Sequence, residues 1–160
     1  MKFENFTKNL VTFQDLNTLL RDIEEAETAI FEVGSAILSK KLENKVSDNF
    51  EEALRQVERE GLLPKSQQGK QEFFKELKSH LLSLPKVKME LAFDPEPAFV
   101  KKISEFVGKS LNSPAVLDIS VKPAIIAGAT IEFNGMFKDY SYKDKLEQVL
   151  GEKLTPSNYE

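Results

Sequence analysis

Apolar residues near the start of the chain recur at alternating steps of three and four positions. This spacing places their side chains on one face of an α-helix, as in the a and d positions of a heptad. Thr12 and Asp15 precede the pattern, and this pairing is typical of a helix N-terminus. We therefore predict one long helix over residues 13–42. Its apolar seam consists of Leu16, Leu19, Ile23, Ala26, Ile30, Val33 and Ile37.

This seam needs a packing partner, because a long apolar stripe is unfavourable in water. One alternative is that the seam packs against later helices of the same chain. The other is that it contacts a helix of another protein. Under the second alternative, the candidate partner-binding residues are Leu16, Leu19, Ile23, Ile30 and Ile37.

Two further helices are predicted before the pattern changes at Pro85. The first begins at Asp48, whose side chain is expected to cap it, and ends before Gly61, which suits a helix C-terminus. The second spans residues 67–83 and carries Phe and Leu residues at helical spacing. We thus predict a helical domain of about three helices over residues 1–84.

After Pro85, apolar and polar residues alternate, which is typical of strands with one buried face. Two such strands are predicted over residues 87–93 and 117–121. Two more flank Asn134 and Gly135, and this dipeptide favours a two-residue hairpin because both turn positions need positive φ.

Two helices complete the second half of the chain. The first begins at Asp94 and Pro95, since Asp can cap a helix and Pro suits its first turn. The second begins at Ser141 and ends before a glycine. Residues 85–151 are thus predicted to form a compact β-α-β-β-β-α domain, and residues 152–160 a flexible tail. The predicted fold class is α+β.

Residues 117–150 combine a strand, a Pro-x-Ile-Ile-x-Gly turn, a hairpin, an Asp-x-Ser step and a helix with a leucine. The signature residues are Pro123, Ile125, Ile126, Gly128, Asn134, Gly135, Asp139, Ser141 and Leu146. This segment resembles the C-terminal signature of the delta subunits of F-type ATP synthases, known in mitochondria as the oligomycin-sensitivity-conferring protein. Lys122 and Ala127 stand where that family usually has Asp and Gly.

Structural roles account for the matched residues. Gly128 is expected in a backbone conformation that a side chain would strain. Pro123 ends strand pairing because it lacks an N–H group. Asp139 is expected to bind backbone groups before the last helix, and Ser141 to cap that helix.

The resemblance implies a non-catalytic peripheral-stalk, or stator, subunit of a rotary ATP synthase. Such a subunit links the catalytic head to the stalk and resists the torque of the rotor. In the family, the C-terminal domain binds b-type stalk helices and a six-helix N-terminal domain binds alpha-type head subunits. About three predicted helices leave open whether residues 1–84 bind the head or pair with a stalk helix. The implied location is cytoplasmic, peripheral to the inner face of the cell membrane.

Two alternatives stay open at the level of the sequence. The E subunits of vacuolar and archaeal ATPases carry a similar C-terminal pattern after a long helix. An unrelated helical interaction adaptor is the second alternative.

Composition argues against catalysis, against nucleic acid as a partner and against direct membrane association. The chain has 160 residues, no cysteine and a single histidine, His80, so we expect no catalytic residue, no metal site and no cofactor. A net charge of −4 without a basic block argues against nucleic acid. The N-terminus lacks the apolar core of a secretory signal, and no apolar run approaches the roughly 20 residues of a membrane span. Any membrane association is therefore expected to be indirect.

Overall fold

The computed structural model describes residues 3–34, 36–125 and 127–140. Within these residues, helices come first and a mixed four-stranded sheet with one crossing helix follows, which confirms the α+β class. The elements are α1 (Glu4–Thr7), α2 (Phe13–Ala29), α3 (Leu38–Lys41), α4 (Asp48–Arg59), α5 (Gln67–Ser83), β1 (Lys86–Leu91), α6 (Pro97–Leu111), β2 (Val116–Val121), β3 (Ala129–Phe133) and β4 (Met136–Asp139).

The prediction of one helix over residues 13–42 is wrong, because α2 ends at Ala29 and only the single turn of α3 follows. Gly34 has a φ of 145°, which no α-helix contains. Val33 is fully exposed, so the second half of the seam meets no packing surface there. Helix stability in proteins comes largely from such packing, and heptad spacing alone does not continue a helix. With α1 and α3, the described part before Pro85 has five helical segments instead of about three.

Helix N-termini follow local hydrogen bonding. At α2, Thr12 Oγ1 accepts from the Asp15 N–H at 3.1 Å and Asp15 Oδ2 accepts from the Thr12 N–H at 2.8 Å, so the predicted cap is confirmed. At α4 the cap is Ser47 and not the predicted Asp48. Ser47 Oγ accepts from the Phe50 N–H, which leaves Asp48 as the first helical residue.

Helices α1, α2, α4 and α5 enclose a core rich in phenylalanine. The rings of Phe6 and Phe50 lie 5.5 Å apart, and those of Phe73 and Phe74 lie 5.5 Å apart in an edge-to-face arrangement. We call this set the helical cluster, and its fully buried members include Leu16, Ile23, Leu42, Leu54, Val57, Phe74, Leu77 and Leu81.

The sheet has the order β2-β1-β3-β4. β1 and β2 are parallel and joined through α6, whereas β1–β3 and β3–β4 are antiparallel. Asn134 and Gly135 connect β3 to β4 with φ values of 50° and 74°, so the predicted hairpin is confirmed.

α6 begins at Pro97, and the predicted start at Asp94 and Pro95 is wrong. A residue before proline avoids the helical region, and Glu96 accordingly has a ψ of 148°. Pro97 is then the first residue that can be helical, in the position where its missing N–H has no cost.

One face of the sheet packs against α6. Val87, Met89 and Leu91 of β1 are buried there beside Leu117 of β2, and we call this set the sheet cluster. The helix that was predicted to begin at Ser141, with Leu146, lies outside the described residues, as does the 152–160 tail.

The helical cluster and the sheet cluster meet at β2. Val116 belongs to the helical cluster, while its neighbour Leu117 belongs to the sheet cluster. The Leu117 N–H donates to the Val11 carbonyl at 2.9 Å, and Thr12 forms a parallel bridge with Leu117. The domain boundaries 1–84 and 85–151 stay a prediction.

Candidate functional site

The signature turn between β2 and β3 is fastened to the end of β1 on both sides. The Lys122 N–H donates to the Leu91 carbonyl at 2.8 Å, and the Ala92 N–H donates to the Gly128 carbonyl at 3.2 Å. These two bonds hold the incoming and outgoing ends of the turn beside one strand. The turn therefore positions β3 as the antiparallel neighbour of β1.

Pro123 and Gly128 occupy this turn in the roles expected of them. Pro123 follows β2 directly, and the Ile125 N–H donates to the Lys122 carbonyl at 2.9 Å to close a tight turn around it. Gly128 has a φ of 101°, in the left-handed region that a side chain would strain. Ile126 lies outside the described residues.

Lys122, which stands where the resemblance would place an Asp, forms an ion pair across the sheet. Its Nζ lies 3.1 Å from both carboxylate oxygens of Glu90 on β1. Thr130 Oγ1 donates to the same carboxylate at 3.2 Å. The hydrogen bond from Lys122 lowers the pKa of Glu90 below 4.5, against the opposing effect of partial desolvation. A carboxylate at position 122 would repel the carboxylate of Glu90, so a lysine is favoured at this position of the sheet.

The remaining signature residues lie on or beyond the hairpin. Asn134 and Gly135 form its turn, and Asp139 ends β4 opposite Thr130. Ser141 and Leu146 lie outside the described residues. Their predicted capping and packing roles stay predictions.

The candidate partner-binding seam is mostly internal. Leu16 and Ile23 are completely buried and Leu19 is 8% exposed, all within the helical cluster. Ile30 is half-buried against the same cluster, and Ile37 is 56% exposed. The seam therefore packs against the chain's own helices, which was the first alternative, and Ile37 alone of the five is exposed.

Sequence reasoning did not resolve two exposed apolar surfaces, because Val33 and Ile37 were predicted to continue one helical seam, and the contact between Phe93 and Phe99 follows no regular period. The first, which we call the connector loop, comprises Phe31, Val33 and Ile37 between α2 and α3. The second, which we call the sheet-end patch, comprises Phe93 and Phe99, whose rings lie 5.8 Å apart. Adjacent exposed aromatic rings are unusual on a surface without a function, and these offer candidate contacts.

Groups capable of chemistry are not gathered into a site in the described part of the chain. His80 is half-buried on α5 with its ring 5.6 Å from that of Phe3. Among residues 3–34, 36–125 and 127–140, no three His, Asp or Glu side chains are grouped to hold a metal ion. No helix within the same ranges combines the length and apolar character that crossing a bilayer requires.

The described residues thus combine a group of helices with a mixed sheet, and both parts carry exposed apolar side chains. The sequence matches the family described as ATP synthase delta (OSCP) subunit over residues 1–152. The chain belongs to this family. The match includes the helical region, to which the signature motif did not extend.

Individual relatives share part of their length with this chain. ATP synthase subunit delta of Thermotoga petrophila is 32% identical over 66 residues, which cover 41% of this chain and 36% of the relative. ATP synthase subunit delta of Dichelobacter nodosus is 30% identical over 104 residues, which cover 61% and 56%. The chain thus spans between about a third and just over half the length of these curated relatives.

Proposed function

We propose that this chain is a non-catalytic stator subunit that links the catalytic head of a rotary ATP synthase to its peripheral stalk and resists rotor torque. The observation that carries the proposal is the family match, which runs through both the helices and the sheet. An E-subunit-like protein of a vacuolar or archaeal ATPase has no comparable support.

A part that resists torque must transmit force between its ends without shearing. The contact at β2 supports this role, because Val116 and Leu117 are both completely buried but on different sides of the sheet. Force applied to the helices therefore reaches the sheet through a packed strand as well as through the covalent chain. Dense packing of this kind deforms little.

Each part of the chain then has its own partner. The helices bind alpha-type head subunits, and the connector loop, with Phe31 59% exposed, offers an apolar contact for them. The sheet unit binds b-type stalk helices, and the sheet-end patch offers aromatic rings on which the apolar face of an amphipathic helix packs. The chain is cytoplasmic, peripheral to the inner face of the membrane, and reaches the membrane only through other subunits.

Purification of the complex from the source organism tests this assignment. An affinity-tagged copy of this chain should recover head and stalk subunits together, in one assembly that retains ATPase activity. Its absence from an intact, active complex purified through a head subunit would refute the proposal.

Two variants distinguish the two contacts. Phe93→Glu with Phe99→Glu should reduce recovery of stalk subunits, and Val33→Glu should reduce recovery of head subunits, since each places charge in an apolar interface. Leu82→Glu is a matched control, because Leu82 is 51% exposed on α5 and belongs to neither surface. Equal loss with the control would argue against both assignments.

A further inference from the structure

A groove lies between the helical part of the chain and the start of α6, and we call it the junction groove. Its volume is ≈ 470 Å³, which falls within the range of sites that hold a ligand. One wall comes from residues 8–15 around the start of α2, and the other comes from residues 95–101 around the start of α6. The junction groove is therefore formed jointly by both parts of the chain, and it is separate from the connector loop.

The lining of the junction groove combines apolar side chains with two lysines. Val11 and Val100 are half-buried against the sheet cluster, which holds them in place, and two prolines, Pro95 and Pro97, extend the apolar lining. Lys8 and Lys101, one from each wall, are exposed. Among the residues that the structure describes, neither lysine forms an ion pair with a carboxylate. Both ammonium groups are therefore available to a ligand.

Acidic side chains contribute little to this lining. Asp15 is the one acid among the described lining residues, and its Oδ2 accepts from the N–H groups of Val11 at 3.2 Å and Thr12 at 2.8 Å. Asp94 and Glu96 belong to the loop before α6 but do not line the groove. The lining thus carries more positive than negative charge, and it complements a ligand that is both apolar and acidic.

We propose that the junction groove binds a short acidic peptide segment of a partner protein. A large apolar side chain of this segment packs between Val11 and Val100, and acidic residues on both sides of it pair with Lys8 and Lys101. An apolar centre with a charged rim is the usual arrangement of a protein interface. The pattern that the groove recognises is therefore acidic, apolar, acidic.

The surroundings of the groove favour a peptide over a small molecule. The segment that supplies Pro95, Pro97 and Val100 also carries Phe93 and Phe99, so apolar surface continues from the groove to the sheet-end patch. A single small ligand would cover only the groove. An elongated segment can occupy the groove and extend over the neighbouring rings.

A segment bound in the junction groove contacts both parts of the chain at once. It therefore adds a second connection between the helices and the sheet, beside the packed contact at β2. The inference does not depend on the proposed function, because peptide binding is measured on the isolated full chain. Failure of the chain to purify with an ATP synthase would leave that measurement unchanged.

Selection from a phage-displayed library of random peptides tests the ligand chemistry. Peptides of about eight residues that bind the full chain should be enriched in a large apolar residue with Asp or Glu on both sides, because only this pattern satisfies both lysines. Enrichment of basic or neutral peptides would overturn the proposal. Absence of any enriched sequence would overturn it equally.

Charge reversal tests the location. Lys8→Glu with Lys101→Glu should weaken binding of an enriched peptide about tenfold, and a peptide with lysines in place of its acids should then bind the double variant better than the unsubstituted chain. Lys102→Glu is the matched control, because Lys102 is exposed beside Lys101 on α6 but does not line the groove, and it should change affinity by less than about twofold. Equal effects of the control and the double variant would show that the peptide binds elsewhere.

Hydrogen exchange of the unsubstituted chain tests whether the bound peptide contacts both walls. A saturating amount of an enriched peptide should slow amide exchange in residues 8–15 and in residues 95–101 together, since bound segments protect the backbone that they cover. Slower exchange in one of these ranges alone would contradict a site at the junction. This measurement needs no substitution, so it holds even if the charge-reversed variants fail to fold.

Discussion

Asp22 is a completely buried carboxylate at the junction of α2 and α4. Its Oδ2 accepts from the Ser47 N–H at 3.1 Å and from the Ser47 hydroxyl. The negative charge thus lies at the N-terminus of α4, where the helix dipole and the exposed N–H groups favour it. Among the residues that the structure describes, Oδ1 has no hydrogen-bond partner, and the guanidinium of Arg21 lies 3.9 Å away.

Asp22→Ala should lower the free energy of unfolding by about 1–3 kcal/mol, because the partly buried N–H and hydroxyl groups of Ser47 lose their acceptor. Urea denaturation followed by circular dichroism measures the change. Glu25→Ala, at an exposed position of the same helix, is the control and should stay within about 0.5 kcal/mol of the unsubstituted chain. If Asp22→Ala left the free energy of unfolding unchanged, the carboxylate would contribute nothing to stability beyond its volume.

The Glu90–Lys122 pair predicts a pH dependence with a defined sign. Because Lys122 lowers the pKa of Glu90 below 4.5 in the folded state, the pair stabilises the fold above that pH. This contribution disappears as the pH falls through the lowered value. Glu90→Gln should therefore be less stable than the unsubstituted chain at neutral pH, and the gap should close in acid.

Urea midpoints measured across the acidic range test this sign. In a Lys122→Met background, which removes the main partner, Glu90→Gln should have a much smaller effect at every pH. A gap that widens below pH 4.5 would contradict the assignment.

At the scale of elements, turn chemistry decides where strands and helices stop. The β3–β4 hairpin requires positive φ at Gly135, and α4 ends where Gly61 adopts a φ of 68°. The Leu62 N–H then reaches the Val57 carbonyl at 3.0 Å, a bond that closes the last turn of α4. Backbone conformations that only glycine accepts easily thus set these boundaries.

Two Gly→Ala substitutions should have opposite effects. Gly135→Ala should lower stability by about 1 kcal/mol, because φ is 74° there although no atom of the described residues obstructs a Cβ atom. Gly108→Ala should raise stability by about 0.5–1 kcal/mol, because Gly108 lies inside α6 and an added Cβ would meet the Ser113 carbonyl oxygen at an ordinary 3.5 Å. Thermal unfolding distinguishes the two signs. Equal destabilisation by the two substitutions would show that the space around the added Cβ atom, and not the backbone conformation, limits both positions.

At the scale of the whole molecule, β2 joins the two clusters. Val116 is completely buried in the helical cluster, and Leu117 is completely buried in the sheet cluster. Removing atoms at this strand should therefore weaken the contact between the helices and the sheet as well as the local packing.

Val116→Ala should lower the free energy of unfolding by about 1–3 kcal/mol. Val121→Ala, in the same strand but 46% exposed, is the matched control and should change it by less than about 1 kcal/mol. Hydrogen exchange should show faster exchange in both α2 and β1 for Val116→Ala. Faster exchange confined to the helices would show that the clusters are energetically independent.

Much of the fold could be predicted from short-range pattern. α5 spans the predicted residues 67–83, and the hairpin at Asn134 and Gly135 and the cap at Thr12 are as predicted. Each depends on residues a few positions apart, which a single sequence displays. The signature turn at Pro123 and Gly128 likewise depends on residues a few positions apart. It indicated the same family that the match over residues 1–152 shows.

The sequence by itself therefore determined the α+β class, the strand pattern and the resemblance at the second half. Tertiary structure alone decided that α2 ends at Ala29, since Val33 and Ile37 further along the seam are exposed and find no surface to pack on. It also chose Ser47 over Asp48 as a cap, because Ser47 binds Asp22, 25 positions away. Contacts of this kind depend on which helices pack together, and the periodicity of a single sequence does not show which helices do so.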